Sequence, residues 1–355
     1  MKGLILSGGR GTRLRPLTYT SAKQLVPVAN KPVLFYGIEA MAEAGIRDIG
    51  IVVGDTQAEI RAAVGDGSRW GVRVHYIEQD APRGLAHAVK ISQDFVAGEP
   101  FVVYLGDNLL NKGITHFVRE FEREKPAAQI LLARVPDPQM FGVAQLKDGR
   151  VVRLVEKPKE PIGDLALVGV YMFGPAVFES VDRIRPSFRN ELEITDAIQD
   201  LIDQGLTVRP HIVDGWWKDT GKLEDILEAN RLILETLEAR IDGEVDSESK
   251  VEGKVVVESG AVIERSVIRG PAIIGRGARI AHAYVGPFTS IMNDVVIRDS
   301  EVEHSIVLEG SCVHDLANRI ADSLIGKNVK IYRMPVKPSA YRFMLGDNSE
   351  VGIRW

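Results

Sequence analysis

The sequence has 355 residues, 45% hydrophobic and 26% charged, with a formal net charge of −5, one cysteine and 34 glycines. That length predicts two domains with cores of useful size; the charge excludes a general nucleic-acid binder, since phosphate backbones demand a basic surface; and one cysteine excludes an internal disulfide and a multi-cysteine zinc site. No apolar run approaches a membrane span, and the opening Leu4-Ile5-Leu6 stops at Ser7-Gly8-Gly9, too soon for a secretory signal, so a cytoplasmic protein is expected.

In chain order, short aliphatic runs predict strands at 2–6, 49–53, 72–78, 100–105, 129–134, 143–145, 151–156, 166–173 and 208–212. Between and after them, helical periodicity predicts helices at 33–44, 57–64, 85–95, 114–124, 175–181, 194–204 and 223–240. Strand–helix alternation with helix-length crossovers implies an α/β domain, a mostly parallel mixed sheet with helices on both faces. Ligands in such sheets bind outside the carboxyl ends of the strands. The loops after Leu6, Val53 and Leu105 are therefore where chemistry is expected.

Near residue 240 the pattern changes, which sets the expected domains at 1–240 and 241–355. Val251, Val257, Ile263, Ile268, Ile274, Ile280, Val285, Ile291, Ile297, Val302, Leu308 and Val313 form a register whose first nine intervals repeat 6, 6, 5. Each triplet advances 17 residues, as three flat faces per coil require, and a left-handed parallel β-helix of hexapeptides is expected. An ordinary β-sandwich is the competing reading. A second inward set includes Val267 and Cys312, so the cysteine reads as a small buried filler. Gly275, Gly277, Gly286 and Gly310 fall at corners, where positive φ is often needed. From Tyr332 a tail packs back or extends, and Gly346-Asp347-Asn348 reads as a turn. His75, His87, His116 and His211 sit in ordinary strand or helix patterns and are assigned no chemistry.

The loop after the first strand, Ser7-Gly8-Gly9-Arg10-Gly11-Thr12-Arg13-Leu14, is rich in glycine and arginine. Glycines let backbone N–H groups approach phosphate oxygens, and arginine adds a forked cationic donor. It is neither a Walker A loop nor the dinucleotide fingerprint, whose later Lys or Gly is missing. With Lys23-Gln24-Leu25-Val26-Pro27-Val28 and Lys31-Pro32, the segment strongly resembles the signature of sugar-1-phosphate nucleotidylyltransferases. Leu105-Gly106-Asp107-Asn108, Phe141-Gly142-Val143, Val155-Glu156-Lys157-Pro158 and Trp217-Lys218-Asp219-Thr220-Gly221 match later family motifs in the right order. The likeness covers roughly residues 1–240 and implies a Rossmann-like catalytic domain.

The resemblance implies transfer of a nucleotidyl group from a nucleoside triphosphate to a sugar 1-phosphate. Relatives that transfer guanylyl or cytidylyl groups carry Lys-Pro where this chain has Lys23-Gln24. Gln24 and Gln79 sit where thymidylyl-transferring members place base contacts, so dTTP and glucose 1-phosphate are the expected substrates and Mg2+ the expected cofactor. Arg13, Lys23 and Lys157 are the implied catalytic cations. Leu6, Gly8, Gly9, Gly11, Thr12, Gln24, Gln79, Pro82, Gly84 and Asp107 would line the nucleotide. Gly142, Glu156, Lys157, Val168 and Trp217 would hold the sugar phosphate, and Asp107 and Asp219 the metal. Glu156 and Lys157, adjacent on a strand, should point opposite ways. Asp80 and Arg83 depart from the family's pattern in the second base loop, and Arg83 is expected to face solvent. The flat coil faces predict a homo-oligomer; no nucleic-acid polymer or membrane partner is expected. Three alternatives stay open: UTP in place of dTTP, an added acyltransferase activity in the coil, and a non-catalytic regulatory homologue. Intact Arg13, Lys23, Asp107, Lys157 and Asp219 argue against the last.

Overall fold

The computed structural model describes residues 1–9, 11–19, 21–334 and 351. The chain divides into two compact units: Met1–Arg10, Ser21–Leu25 and Val33–Asp219 form the first; Gly11–Thr20, Val26–Pro32 and Thr220–Trp355 form the second. In chain order the elements are β1 (Lys2–Leu6), β2 (Pro27–Val28), β3 (Lys31–Pro32), α1 (Val33–Glu43), β4 (Asp48–Val53), α2 (Gln57–Val64), β5 (Arg73–Glu78), α3 (Leu85–Lys90) and α4 (Gln93–Val96). Then come β6 (Phe101–Leu105), β7 (Asn108–Leu110), α5 (Thr115–Glu124), β8 (Ala128–Arg134), β9 (Gly142–Lys147), β10 (Arg150–Glu156), β11 (Leu165–Phe173), α6 (Ala176–Arg183), α7 (Ile194–Asp203), β12 (Val208–Ile212), β13 (Trp217–Asp219) and α8 (Leu223–Leu234).

All nine strands expected in the first unit are present and form one sheet, ordered β10-β9-β11-β6-β1-β4-β5, with β8 and β12 joined to it through β11. β1 pairs in parallel with both β4 and β6, so that Leu6 lies opposite Val52 and Leu105. The chain runs from β1 outward to β4 and β5, then returns to β6 on the other side of β1. This reversal opens a crevice at the carboxyl end of β1. β11 runs antiparallel to β6, β8 and β9, and all nine of its residues are buried. Alternation along the strands feeds two cores: Leu4 and Leu6 pack with residues of α3, α6 and α7, whereas Ile5 packs with residues of α1, α2 and α5.

Two helices differ from expectation. The stretch 85–95 is broken into α3 and α4, because the buried Ser92 donates its hydroxyl to the Ala88 carbonyl (2.8 Å) and its own N–H turns tightly to Val89 (3.0 Å). The stretch 223–240 ends at Leu234, and Arg240–Ile241 already pairs with Val256–Val257 as the first rung of the coil.

Among the described residues the second unit holds three parallel sheets of six, six and four short strands, running from Arg240–Ile241 to Lys330–Tyr332. They are the faces of a parallel β-helix. Val257, Ile274, Ile291, Val307 and Ile325 stack on one face, and Ile263, Ile280, Ile297, Val313 and Ile331 on the next. The inward residue of the fourth coil is thus Val307, not Leu308: the ladder steps from Ile291 to Val307, one residue short of the 17-residue advance. Cys312 and Val267 are only half-buried, because each directly precedes an inward residue, Val313 or Ile268, and so faces the other way. Gly277 and Gly310 do take positive φ (68° and 70°), stacked in one corner ladder with Gly260, Asp294 and Asn328. Gly275 and Gly286 do not. A Cβ on Gly275 would meet the backbone of Met292 at 2.7 Å, and one on Gly286 the Cβ of Glu303 at 2.5 Å, so close approach of successive coils explains these two. The Gly346-Asp347-Asn348 turn and most of the tail lie outside the described residues.

One outer face of the coil is also covered within this unit. Val256 and Ile273 pack on Leu234 and Ala29. Beside them the fully buried Asn230 of α8 accepts from the Ala29 N–H (2.8 Å) and the Ser290 hydroxyl (2.7 Å), and donates to the Phe288 carbonyl (3.0 Å).

Candidate active site

The carboxyl end of β1 carries a polar constellation built from three loops. Main-chain bonds extend the sheet past its end: Ser7 donates to Val52 (2.9 Å), Gly106 to Leu6 (3.0 Å) and Gln79 to Val53 (2.8 Å). These fix three loops side by side in the first unit. Gly8 faces Gln79, whose Oε1 lies 2.8 Å from where a Cβ on Gly8 would stand. Gln24 is buried against Gly9 and Gly106. Its Oε1 and the Ser7 hydroxyl have no hydrogen-bond partner among the described residues, and both acceptors sit at this strand end.

Lys23 is buried, and its ammonium pairs with Asp107 Oδ2 and lies 3.8 Å from Asp219 Oδ1. The two carboxylates are brought together by a feature too short to read in the sequence. β7 and β13 form an antiparallel ribbon in which Asp219 lies opposite Asn108. Asn108 is its hub: Nδ2 donates to Asp107 Oδ1 (2.9 Å), while Oδ1 accepts from Trp217 Nε1 (2.5 Å) and Gly169 N–H (3.2 Å). Burial pushes the Asp107 carboxyl up, yet the Lys23 ammonium and the bonds from Lys23 and Asn108 hold it below the usual carboxylate range. Two hard carboxylate donors converging on one cationic group is an arrangement that also fits a divalent cation such as Mg2+.

A second group forms where β9 meets β10. Glu156 lies opposite Gly142, where a Cβ would meet Thr195 at 2.5 Å and Glu156 Oε2 at 3.1 Å. Glu156 accepts from Arg189 (3.2 Å) and Thr195 (3.3 Å). Burial and the neighbouring Glu193 push its carboxyl up, against the pull of Lys157 and Arg189. Glu156 and Lys157 do not point opposite ways. The strand ends at Glu156, Lys157 takes a left-handed φ of 43°, and its ammonium comes within 4.0 Å of Glu156 Oε1.

Several expected residues play other parts. The Val168 side chain is fully buried in the core with Ile5, so only its main chain is available to a ligand. Trp217 is tied to Asn108 and packs edge-on against Phe141 at 5.1 Å. Pro82 is exposed, and Arg83 faces solvent paired with Asp80 (2.8 Å). Gly84 begins α3, and a Cβ there would strike the Leu192 carbonyl at 2.4 Å. Gly11, Thr12 and Arg13 belong to the second unit, where a Cβ on Gly221 would stand 2.9 Å from the Arg13 guanidinium. Sequence reasoning missed Asn108, Thr195 and Arg189. It also missed His87, whose Nδ1 lies 3.1 Å from Gln79 Nε2. In the coil His282 and His304 occupy corners with positive φ, facing Asp299 and Asp322, as turn residues do.

A nucleotidyl transferase family model matches residues 2–236. A glucose-1-phosphate thymidylyltransferase of Streptomyces griseus is 56% identical over 354 residues, 99% of each chain. One of Streptomyces antibioticus is 55% identical over 356 residues, 100% of each chain. A Bacillus anthracis crystal structure assigned to the same activity, in complex with a sucrose, matches with a TM-score of 0.62 at 36% identity, covering 65% of this chain and 94% of that one. The chain belongs to the nucleotidyl transferase family. Among the described residues no helix is long and apolar enough to cross a membrane.

Proposed function

We propose that the protein transfers a thymidylyl group from dTTP to glucose 1-phosphate, forming dTDP-glucose and releasing pyrophosphate. The observation that carries this reading is the convergence of Lys23, Asp107 and Asp219 at the carboxyl end of β1, with the glutamines Gln24 and Gln79 beside it. An oxygen of the sugar phosphate attacks the α-phosphorus in line; that bond forms as the bond to the β-phosphate oxygen breaks. The nucleophile is already an anion, so the protein's task is positioning and charge neutralisation. Lys157 holds the sugar phosphate, Glu156 and the Gly142 strand receive sugar hydroxyls, and Lys23 neutralises the nucleotide phosphates. Arg13, by its place in the family motif, takes the departing pyrophosphate. Asp107 and Asp219 would hold Mg2+, which when bound supplies Lewis-acid neutralisation at the α-phosphate. Amide side chains at the base offer both donor and acceptor, which suits a pyrimidine edge.

The direct test is pyrophosphate release with Mg2+ across four nucleoside triphosphates and several sugar 1-phosphates. Turnover with dTTP and glucose 1-phosphate is expected; failure with dTTP alongside turnover with UTP overturns the Gln24 argument. Trp217→Phe keeps a ring against Phe141 but removes the donor to Asn108. The Mg2+ concentration for half-maximal rate should then rise about 10-fold or more. An unchanged Mg2+ requirement would count against the hub role of Asn108. We also propose self-association through the coil, whose exposed Ile241 and Tyr332 lie on its first and last strands. Light scattering should report an oligomer, and a monomer at micromolar concentration refutes it.

A further inference from the structure

The geometry points to His87 as the residue that sets which end of the Gln79 amide faces the base, and so makes the site select a pyrimidine carrying N3–H over cytosine. The inference rests on the reading that Gln79 meets the base. Gln79 opens the loop after β5, and α3 starts at Leu85, so His87 lies in the first turn of the helix that follows this loop. Gln79 Nε2 is 3.1 Å from His87 Nδ1, while Oε1 turns to Gly8 and has no hydrogen-bond partner among the described residues. An amide is ambidextrous: rotated by half a turn, it would offer N–H to the ligand instead. A neutral imidazole with its proton on Nε2 has a lone pair on Nδ1 and can only accept there. It therefore fixes the amide nitrogen toward itself and the oxygen toward the site. Burial, reinforced by Arg83 and Lys90 and opposed by Asp80, holds His87 below the ordinary imidazole range and favours the neutral ring.

Thymine and uracil present N3–H, a donor that the Gln79 oxygen accepts. Cytosine presents a bare N3 lone pair, which that oxygen repels. The locked amide thus discriminates between base edges without touching the 5-methyl group, so it separates dTTP from dCTP and leaves dTTP and UTP alike. His87 is a positioning residue, since it acts through Gln79.

The test compares kcat/KM for dTTP and dCTP in the wild type and four variants. His87→Leu fills the space but cannot accept a hydrogen bond. It should raise KM for dTTP about 10-fold, leave KM for glucose 1-phosphate unchanged, and lower the dTTP:dCTP preference. His87→Gln, which can still accept, should restore the preference. His87→Lys offers only donors, turns the amide around, and should shift the preference furthest toward dCTP. Unchanged dTTP kinetics and preference in His87→Leu and His87→Lys overturn the inference. Gln79→Leu separates the two readings: if it too leaves the preference intact, Gln79 does not meet the base; if it alone alters the preference, only the role of His87 falls.

A different observation carries a second inference. One cluster of metal-ligand type stands among the described residues away from this crevice: His116, Glu120 and His211, whose ligand atoms all lie within 4.8 Å of one another. α5 places His116 and Glu120 one turn apart on one face, and β12 supplies His211, with Nδ1 3.1 Å from Glu120 Oε2. The Phe117 ring, 4.6 Å from His211, holds that imidazole edge-on. We infer that these three bind a borderline divalent cation, Zn2+ or Ni2+, with water completing the shell; two imidazoles and one carboxylate favour such ions over Mg2+. Thermal unfolding in saturating MgCl2 should show a further stabilisation on adding ZnCl2 that His116→Ala and His211→Ala both abolish. Absence of a Zn2+ shift, or one that survives both substitutions, overturns it.

Discussion

Asp107→Asn should reduce kcat by about 10²–10³, because an amide would hold less firmly the divalent cation that offsets charge developing on the phosphates. The amide retains the shape of the carboxyl group, and Lys23 keeps Asp219 as a counter-charge 3.8 Å away, so the fold should survive. The asymmetry between rate and fold follows from the site. In the protein alone, Asp107 and Lys23 neutralise each other; under the proposed mechanism the same carboxylate would instead hold the cation at the phosphates. The measurement is single-turnover pyrophosphate release alongside near-ultraviolet circular dichroism. A variant with the wild-type rate and a wild-type spectrum removes Asp107 from the metal pair. Loss of the spectrum would instead mean that the Lys23 pair is chiefly structural.

Asn230→Ala should produce the largest loss of stability. The side chain is fully buried and satisfies three groups at once: the Ala29 N–H, the Ser290 hydroxyl and the Phe288 carbonyl. Truncation strands all three in an interior lined by Val256, Ile273 and Leu234. Each buried unsatisfied group costs about 1–3 kcal/mol, so a loss of about 3 kcal/mol or more is expected, partly relieved if water enters. Denaturant unfolding followed by tryptophan fluorescence measures it. A change below about 1 kcal/mol would show that the groups find other partners.

The two residues are not equally visible in the sequence. Asp107 could be read because it ends an aliphatic run within a matching motif. Asn230 could not: one asparagine among the apolar residues of a helix gives no hint of partners 58 to 201 positions away. The same division runs through the fold. The nine sheet strands were legible because each is a run of aliphatics that must be buried on one or both faces, and the 6-6-5 register because ten successive positions, Val251 to Val302, repeat it. The β7–β13 ribbon was not, since it is three residues long on each side and composed of residues chosen for chemistry rather than burial. The pairing of Lys157 with Glu156 depends on one backbone angle, and no periodicity encodes it. His87 looked like an ordinary helical residue because its partner, Gln79, lies on a separate loop rather than at helical spacing.

The short fourth coil has a consequence for how this half of the molecule can change. Ile274 to Ile291 spans the standard advance, the next rung falls one residue short at Val307, and the one after falls late at Ile325, which puts the stack back in phase. Gly310 and Asn328 continue the same corner of positive φ through both irregular rungs. Length errors are therefore absorbed at the turns between faces, and the inward stack is insulated from them. Because each rung touches only its neighbours, whole coils behave as interchangeable units. The number of rungs is then a free variable, open to duplication or loss without redesign of what remains.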